Sequence, residues 1–273
     1  ACLPCPAGGD CSQGGSVVAF AVGTWAQEDG IYRLRACPAG YQLVNKVAGG
    51  GFSQDAQVCQ KCAATEYVVD PTSPDLGCQR CPVGATCDGS VAVGRVAGSV
   101  WVASRALGVY LLLHCPNGYQ FVNGTSAGGF DATLQQCLAC GAHQYILSSN
   151  DPRMKCQDCP VGATCDGSSL TGLVAGSVWE ADFSLGIYVL RSCPPGYIYR
   201  GRDGSAASAS LSGVTQECVR CSPSFYCPGG TSGAQSCPTG AYSYAGAVTS
   251  QDCLVVVFVV VDLVLPVARS SID

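Results

Sequence analysis

The cysteine pattern C-x2-C-x5-C occurs four times and constrains the fold more than any other feature of the sequence. Two copies are nearly identical, Cys78-Gln-Arg-Cys81-Pro-Val-Gly-Ala-Thr-Cys87-Asp-Gly and Cys156-Gln-Asp-Cys159-Pro-Val-Gly-Ala-Thr-Cys165-Asp-Gly. The other two cysteine triplets are Cys2/Cys5/Cys11 and Cys218/Cys221/Cys227. The first three triplets recur at intervals of about 78 residues, which indicates a tandem array of one repeated unit.

The composition is typical of a disulfide scaffold. The chain has 21 cysteines, 35 glycines and 15 prolines, but only one methionine and seven phenylalanines. Cysteine at about 8% is the level at which disulfide-rich folds become the default interpretation. Because disulfides persist only in oxidising surroundings, we expect a secreted protein that lies at the cell surface or in an extracellular fibre.

Charge and histidine content exclude several functions. The net charge is −5 and charged residues make up 12% of the chain, whereas a nucleic-acid surface needs clustered Lys and Arg. The two histidines stand alone, and no set of residues supports acid–base or nucleophilic catalysis. The six C-x2-C pairs raise the alternative of zinc, and Asp88 and Asp166 that of calcium. Disulfides and Asp-Gly turns account for these residues better, so we expect no enzyme, metal or cofactor.

Each repeat predicts a β-hairpin. Apolar runs that end on tryptophan (17–25, 91–101 and 170–179) are followed by a turn and a second apolar run. Gly30 supplies the positive φ that the first turn needs. No twelve-residue window keeps a helical apolar period, so no helix of note is expected.

The aromatic residues also recur once per repeat, with Trp25, Trp101 and Trp179 at one position. We expect each Trp and two tyrosines to form a small core against the disulfides. The alternative is a row of aromatic rings that binds sugar or a protein partner.

The expected fold is small, disulfide-rich and β: an elongated tandem array with a C-terminal β-strand tail. Its predicted parts are repeat 1 (1–77), repeat 2 (78–155), repeat 3 with an atypical terminal module (156–253), and a hydrophobic tail (254–273). The third repeat departs from the others because it omits one C-x2-C unit. Terminal repeats are often atypical in such arrays.

The cysteine spacing suggests ten disulfides, each of which closes one loop of a repeat. Crossed pairings within a triplet stay open. Cys2 is left over, and its partner is expected upstream of Ala1 or in another chain. The suggested pairs are Cys5–Cys11, Cys37–Cys59, Cys62–Cys78, Cys81–Cys87, Cys115–Cys137, Cys140–Cys156, Cys159–Cys165, Cys193–Cys218, Cys221–Cys227 and Cys237–Cys253.

Units such as Cys81-Pro-Val-Gly and Cys237-Pro-Thr-Gly-Ala-Tyr, closed by C-x2-C, resemble the ephrin-receptor-like cysteine-rich repeat. More loosely, they are similar to modules of tumour-necrosis-factor receptors and EGF-like domains. The segment from Trp through Gly-Ile/Val-Tyr to Cys-Pro resembles repetitive surface proteins of algae and other protists. The resemblance covers nearly everything up to Cys253, and it implies extracellular modules used in adhesion, matrix or receptor stalks.

The tail is the most apolar part of the chain. Residues 254–268 are shorter than the ~20 residues of a membrane-spanning helix, and they include Asp262 and Pro266, which argues against a membrane span. Their β-branched side chains favour a strand. The strand could pair within its own chain, begin a further domain, or pair with a neighbouring subunit; we favour the last. The predicted assembly strand is Leu254, Val255, Val256, Val257, Phe258, Val259, Val260 and Val261.

The functional expectation is an extracellular structural protein. Asn123-Gly-Thr125 is an N-glycosylation sequon in a predicted surface loop, so covalent glycans are expected at Asn123. Pairing of the tail with another copy would give a head-to-tail contact, which generates filaments. The alternative is a receptor or adhesin ectodomain that binds a protein or carbohydrate ligand.

Overall fold

The computed structural model describes residues 3–13, 18–19, 23–47, 50–124, 128–201 and 213–255. Within these ranges the chain is nearly all strands and turns, with ten disulfides and no α-helix, which confirms the disulfide-rich β fold. Two short 3-10 turns lie at Gly213–Thr215 and Ser250–Asp252. The chain divides into two compact units, the first comprising Ala1–Asp158, Cys165–Ser169 and Phe183–Ile187, and the second comprising Cys159–Thr164, Leu170–Asp182 and Tyr188–Asp273.

The first unit contains sixteen described strands, all short. They are β1 (Gly9–Asp10), β2 (Val18–Ala19), β3 (Thr24–Glu28), β4 (Ile31–Ala36), β5 (Tyr41–Val44), β6 (Val58–Lys61), β7 (Glu66–Tyr67), β8 (Gln79–Arg80), β9 (Ala85–Cys87), β10 (Ala92–Gly94), β11 (Val100–Ser104), β12 (Val109–His114), β13 (Tyr119–Val122), β14 (Gln136–Ala139), β15 (Gln144–Tyr145) and β16 (Gln157–Asp158).

The second unit contains the remaining strands, except for Cys165 and Ile187, which belong to the first unit. These strands repeat the same order and then add a terminal module. They are β17 (Ala163–Cys165), β18 (Leu170–Gly172), β19 (Val178–Asp182), β20 (Ile187–Ser192), β21 (Tyr197–Arg200), β22 (Glu217–Arg220), β23 (Phe225–Tyr226), β24 (Gln235–Ser236), β25 (Ala241–Tyr242) and β26 (Leu254–Val255).

Every described sheet has two strands, and each strand pairs with its neighbour in the sequence. The predicted hairpins are therefore present as β3–β4, β11–β12 and β19–β20. In the first of them Asp29 and Gly30 both have positive φ (50° and 80°) between the paired residues Glu28 and Ile31. Two consecutive positive φ values match the twist of a two-residue hairpin turn.

The first strand of each predicted hairpin is shorter than the apolar run that predicts it. The run 91–101 is not one strand, because Ala92–Gly94 turns back to pair with Ala85–Cys87 of the cysteine triplet. A turn at 96–99, in which the Ser99 N–H donates to the Val96 carbonyl, separates β10 from β11. The same break separates β18 from β19. Each apolar run thus closes two sheets.

The disulfides of the structure join the cysteines that the spacing pairs. Cys159 and Cys165 are both disulfide-bonded as well, whereas Cys2 lies outside the described residues. The pairs whose geometry is described are Cys5–Cys11, Cys37–Cys59, Cys62–Cys78, Cys81–Cys87, Cys115–Cys137, Cys140–Cys156, Cys193–Cys218, Cys221–Cys227 and Cys237–Cys253.

The core consists of small separate clusters. One cluster contains Leu112, Cys115, Phe121 and Cys137, with Trp101 packed against it. Trp101 also contacts a second cluster around Tyr67, whose ring lies edge-on to Tyr110 at 5.2 Å. Trp25 packs in the same way on Leu34, Cys37 and Leu43. These contacts favour the core interpretation of Trp25 and Trp101 over the binding ladder.

One buried glutamine per repeat ties the hairpin to the following loop. Gln135 is 1% exposed; its Oε1 accepts the Leu112 N–H at 2.8 Å. Its Nε2 donates to the carbonyls of Tyr110 and Ala132 at 2.8 and 3.0 Å. Gln57 and Gln216 make the same three bonds in their own repeats. The edge strand of each hairpin is therefore satisfied by a side chain instead of another strand.

The Cys-Pro-x-Gly sequence of each of the first three triplets packs against the loop that carries the buried glutamine. The Val83 N–H donates to the Thr133 carbonyl and the Gly84 N–H to the Gln135 carbonyl, both at 2.9 Å. A Cβ at Gly84 would lie 2.5 Å from the Gln136 Cα. Glycine is required here because the two backbones touch.

Candidate assembly strand and glycosylation site

The terminal module positions the start of the predicted assembly strand. The Cys237–Cys253 bridge and the β25–β26 pair hold the chain on both sides of Cys253, with Ala241 opposite Val255 and Tyr242 opposite Leu254. The Asp252 carboxylate accepts the backbone N–H groups of Thr249 and Val248 at 2.9 and 2.8 Å. These hydrogen bonds lower the pKa of Asp252, that to Thr249 contributing most. The turn before β26 is therefore fixed by a carboxylate that stays ionised at neutral pH.

Both residues of β26 face solvent. Leu254 is 46% exposed and Val255 is 71% exposed. Among the described residues β26 pairs only with β25, so its other edge carries no strand. Tyr244 is also exposed, and its ring lies edge-on to Tyr242 at 5.7 Å. The strand thus begins with one paired edge, one open edge and two apolar side chains at the surface.

Most of the predicted assembly strand lies outside the described residues. Leu254 and Val255 are described, whereas 256–261 are not. Of the three pairings considered for the tail, the structure shows pairing within the chain for these first two residues. Which strand the remainder pairs with stays a prediction.

Asn123, the predicted glycosylation site, directly follows β13. Its carbonyl accepts the Asp131 N–H at 3.1 Å, and the next residue, Gly124, forms a bridge with Phe130. The Asn123 side chain is half-exposed and lines an open groove together with Pro152 and Arg153. Thr125 of the sequon lies outside the described residues. Glycosylation at Asn123 therefore stays a prediction.

The Asp-Gly pairs considered for calcium are local turns. The Asp88 carboxylate accepts the N–H groups of Val91 and Ser90, both at 2.9 Å, and the Ser90 hydroxyl at 2.8 Å. These bonds, led by that to Val91, lower the pKa of Asp88 to about 2. Asp166 makes the equivalent bonds to Ser168 and Ser169, which lower its pKa too. The carboxylates are therefore occupied by their own backbone.

The described residues form neither a metal site nor a membrane-spanning helix. Within them no group of three His, Cys, Asp or Glu side chains could hold a metal ion. No described helix has the length and apolar character needed to cross a membrane.

No family model matches the chain, and no curated protein matches it. The conclusion about where the protein resides rests on the disulfides. Because they form and persist in oxidising compartments, they indicate a secreted, extracellular protein.

Proposed function

We propose that the protein is an extracellular structural protein, the protomer of a glycosylated filament, surface appendage or wall layer. Its copies assemble head-to-tail through the assembly strand defined above. The observation that carries the proposal is β26, which is apolar, exposed and open on one edge, and which leads directly into Val256-Val-Phe-Val-Val-Val.

The physical argument concerns the open edge. A long β-branched strand with unpaired backbone groups is a template for pairing with another chain unless it is covered. Addition of such a strand to a sheet of a second molecule pairs the N–H and C=O groups along one of its edges and covers part of its apolar side chains. Because donor and acceptor surfaces differ, the contact is heterologous and repeats into a filament when it does not close.

Three further features support an extracellular assembly. The ten disulfides hold the loops without a continuous core, which suits a protein exposed to proteases and solvent. Asn123 is half-exposed beside an open groove, where a glycan would not displace core residues. Charged residues are sparse, so assembly would depend on apolar and backbone contacts.

The test is a pair of charged substitutions in the tail of the intact chain. Val257→Lys/Val259→Lys puts two charges on one face of the assembly strand, because alternate residues of a strand share a face. We expect the unaltered chain to form fibres in negative-stain micrographs, with a sedimentation profile that shifts with concentration. The double variant is expected to remain monomeric.

The matched control is Ser270→Lys/Ser271→Lys, which adds the same charge beyond the apolar run and should leave the fibres unchanged. A monomeric unaltered chain at high concentration would contradict the proposal and favour the receptor or adhesin alternative. Fibres from the Val257→Lys/Val259→Lys chain would show that assembly uses another surface.

A further inference from the structure

The outer face of the second hairpin is apolar. Trp101 and Leu112 lie on the inner face and pack on the core of the first unit. The outer face carries Val100, Val102 and Leu113, with Val102 45% and Leu113 53% exposed. Val102 pairs with the half-buried Leu111, and Leu113, two residues further along β12, is skipped by the register at the bulge between Val100 and Trp101. Val100, Val102, Leu111 and Leu113 together form an apolar stripe that includes both strands.

The hairpin fold itself does not require this stripe. In the third hairpin the positions of Val102 and Leu113, counted from the shared Trp and Tyr, hold Glu180 and Arg191. Their side chains form an ion pair with an Nε–Oε2 distance of 2.7 Å. In the first hairpin Glu28 contacts Arg33 at 3.6 Å and also pairs with Arg35. Arg35 lies at the position of Leu113, whereas Ala26 lies at that of Val102. The third hairpin therefore presents charge at both positions, and the first hairpin at one of them.

Within the described residues, one edge of the second hairpin is covered and the other carries no strand. On β12, the Leu112 N–H is bound by Gln135 Oε1 and the Tyr110 N–H by Tyr67 Oη at 3.1 Å. Tyr110 and Leu112 thus point their backbone groups away from β11, so that Leu111 and its partner Val102 point theirs toward each other. It follows that Trp101 and Ala103 present their backbone groups at the outer edge of β11. No described strand pairs with that edge.

We propose that the outer edge and apolar stripe of β11–β12 are the acceptor site for residues 256–261 of a second copy of this chain. The inference rests on the proposed function and names the surface that receives the strand. Eighteen residues, 256–273, continue from the exposed end of β26, and the first six of them are all apolar. That length is enough for a strand of the usual five to six residues.

The choice of the second hairpin follows from charge. A valine-rich strand is apolar on both faces, so whichever sheet it joins must offer apolar neighbours. Beside the first or third hairpin it would desolvate Glu28 with Arg35, or Glu180 with Arg191, at a cost that apolar side chains cannot repay. Beside β11 it meets Val100 and Val102.

The test exchanges the stripe for the pair that the chain already uses. Val102→Glu/Leu113→Arg reproduces Glu180 and Arg191 on the second hairpin, so the variant should keep its fold and its disulfide map. We expect its assembly to weaken by about tenfold or more, because the added charges must be desolvated. Val161→Glu, which alters another exposed valine (58% exposed), is the control and should assemble normally.

Mixing two variants separates donor from acceptor. The Val257→Lys/Val259→Lys chain keeps the acceptor, and the Val102→Glu/Leu113→Arg chain keeps the donor. Each alone is expected to be monomeric, and the mixture should form a one-to-one dimer that does not grow. Undiminished fibres from the Val102→Glu/Leu113→Arg chain would overturn this acceptor and leave the proposed function standing. Undiminished fibres from the tail variant would overturn both.

Discussion

At the scale of single residues, three buried glutamines hydrogen-bond to the edge strands of the hairpins, as a third strand does in larger sheets. Gln135 is almost fully buried, and each of its polar atoms is bonded to backbone groups of the hairpin or the loop. A side-chain amide has both a donor and an acceptor, so it can satisfy an N–H and a C=O of the same edge strand. The bonds to Tyr110 and Leu112 also determine which edge of the hairpin stays open.

Gln135→Leu tests this role. The substitution keeps the side chain's approximate size but leaves the Leu112 N–H and the carbonyls of Tyr110 and Ala132 without partners. An unsatisfied buried polar group costs about 1–3 kcal/mol, so we expect a loss of roughly 3 kcal/mol or more. Hydrogen exchange of the Leu112 amide should then be on the order of 100-fold faster. Gln136→Leu, at the neighbouring position that is only half-buried, should leave that amide protected; equal protection in both variants would contradict the role.

At the scale of elements, the fold is a series of hairpins held in place by the Cys-Pro-x-Gly segments between them. The Pro-x-Gly part of each of the first three triplets hydrogen-bonds to the loop that precedes the next C-x2-C, as Val83 and Gly84 do with Thr133 and Gln135. Val161 and Gly162 repeat this contact with Val214 and Gln216. The segment therefore clamps the loop that carries the buried glutamine.

Gly84→Ala should disrupt that clamp. Its Cβ would lie 2.5 Å from the Gln136 Cα and 2.7 Å from the Gln135 carbonyl oxygen, and backbone atoms cannot move aside as a flexible side chain can. Overpacking of this kind costs about 1–3 kcal/mol, which should lower the thermal midpoint of unfolding. Gly51→Ala is the matched control, because a Cβ there meets nothing within 4 Å. A midpoint for Gly84→Ala equal to that of Gly51→Ala would show that the clamp can relax.

At the scale of the whole molecule, features that depend on a recurring interval between residues could be predicted from the sequence. Features that depend on one particular contact could not. The cysteine intervals indicate loop closures such as Cys62–Cys78, because the same interval recurs at Cys140–Cys156. Gln135 is a polar residue in a glycine-rich loop, which by itself favours an exposed position. Its recurrence two residues before a cysteine, at Gln57 and Gln216, is the signal that would reveal it.

The sequence did not predict the break within the apolar run before each hairpin, for a related reason. Continuous β propensity from 91 to 101 predicts one strand, but pairing with Ala85–Cys87 is a contact with the preceding triplet, and propensity does not report partners. The same limit applies to the tail. Its residues predict a strand, and the structure shows one beginning at Leu254, whereas the partner of a strand is set by the edges available to it.

The last prediction concerns what holds the whole chain together. The described clusters contain three or four buried residues each, and Cys37, Cys115 and Cys137 are among them. Cores this small do not fold without covalent cross-links, so the disulfides must supply the stability that a larger core would give.

We expect reduction and alkylation without denaturant to abolish the β-strand signal in far-ultraviolet circular dichroism, whereas alkylation without reductant should leave it unchanged. Loss of one bridge, as in Cys140→Ala/Cys156→Ala, should cost only about 3 kcal/mol, the value for a loop of about 15 residues, and leave the signal in place. Strand signal that survives complete reduction would show that the clusters suffice.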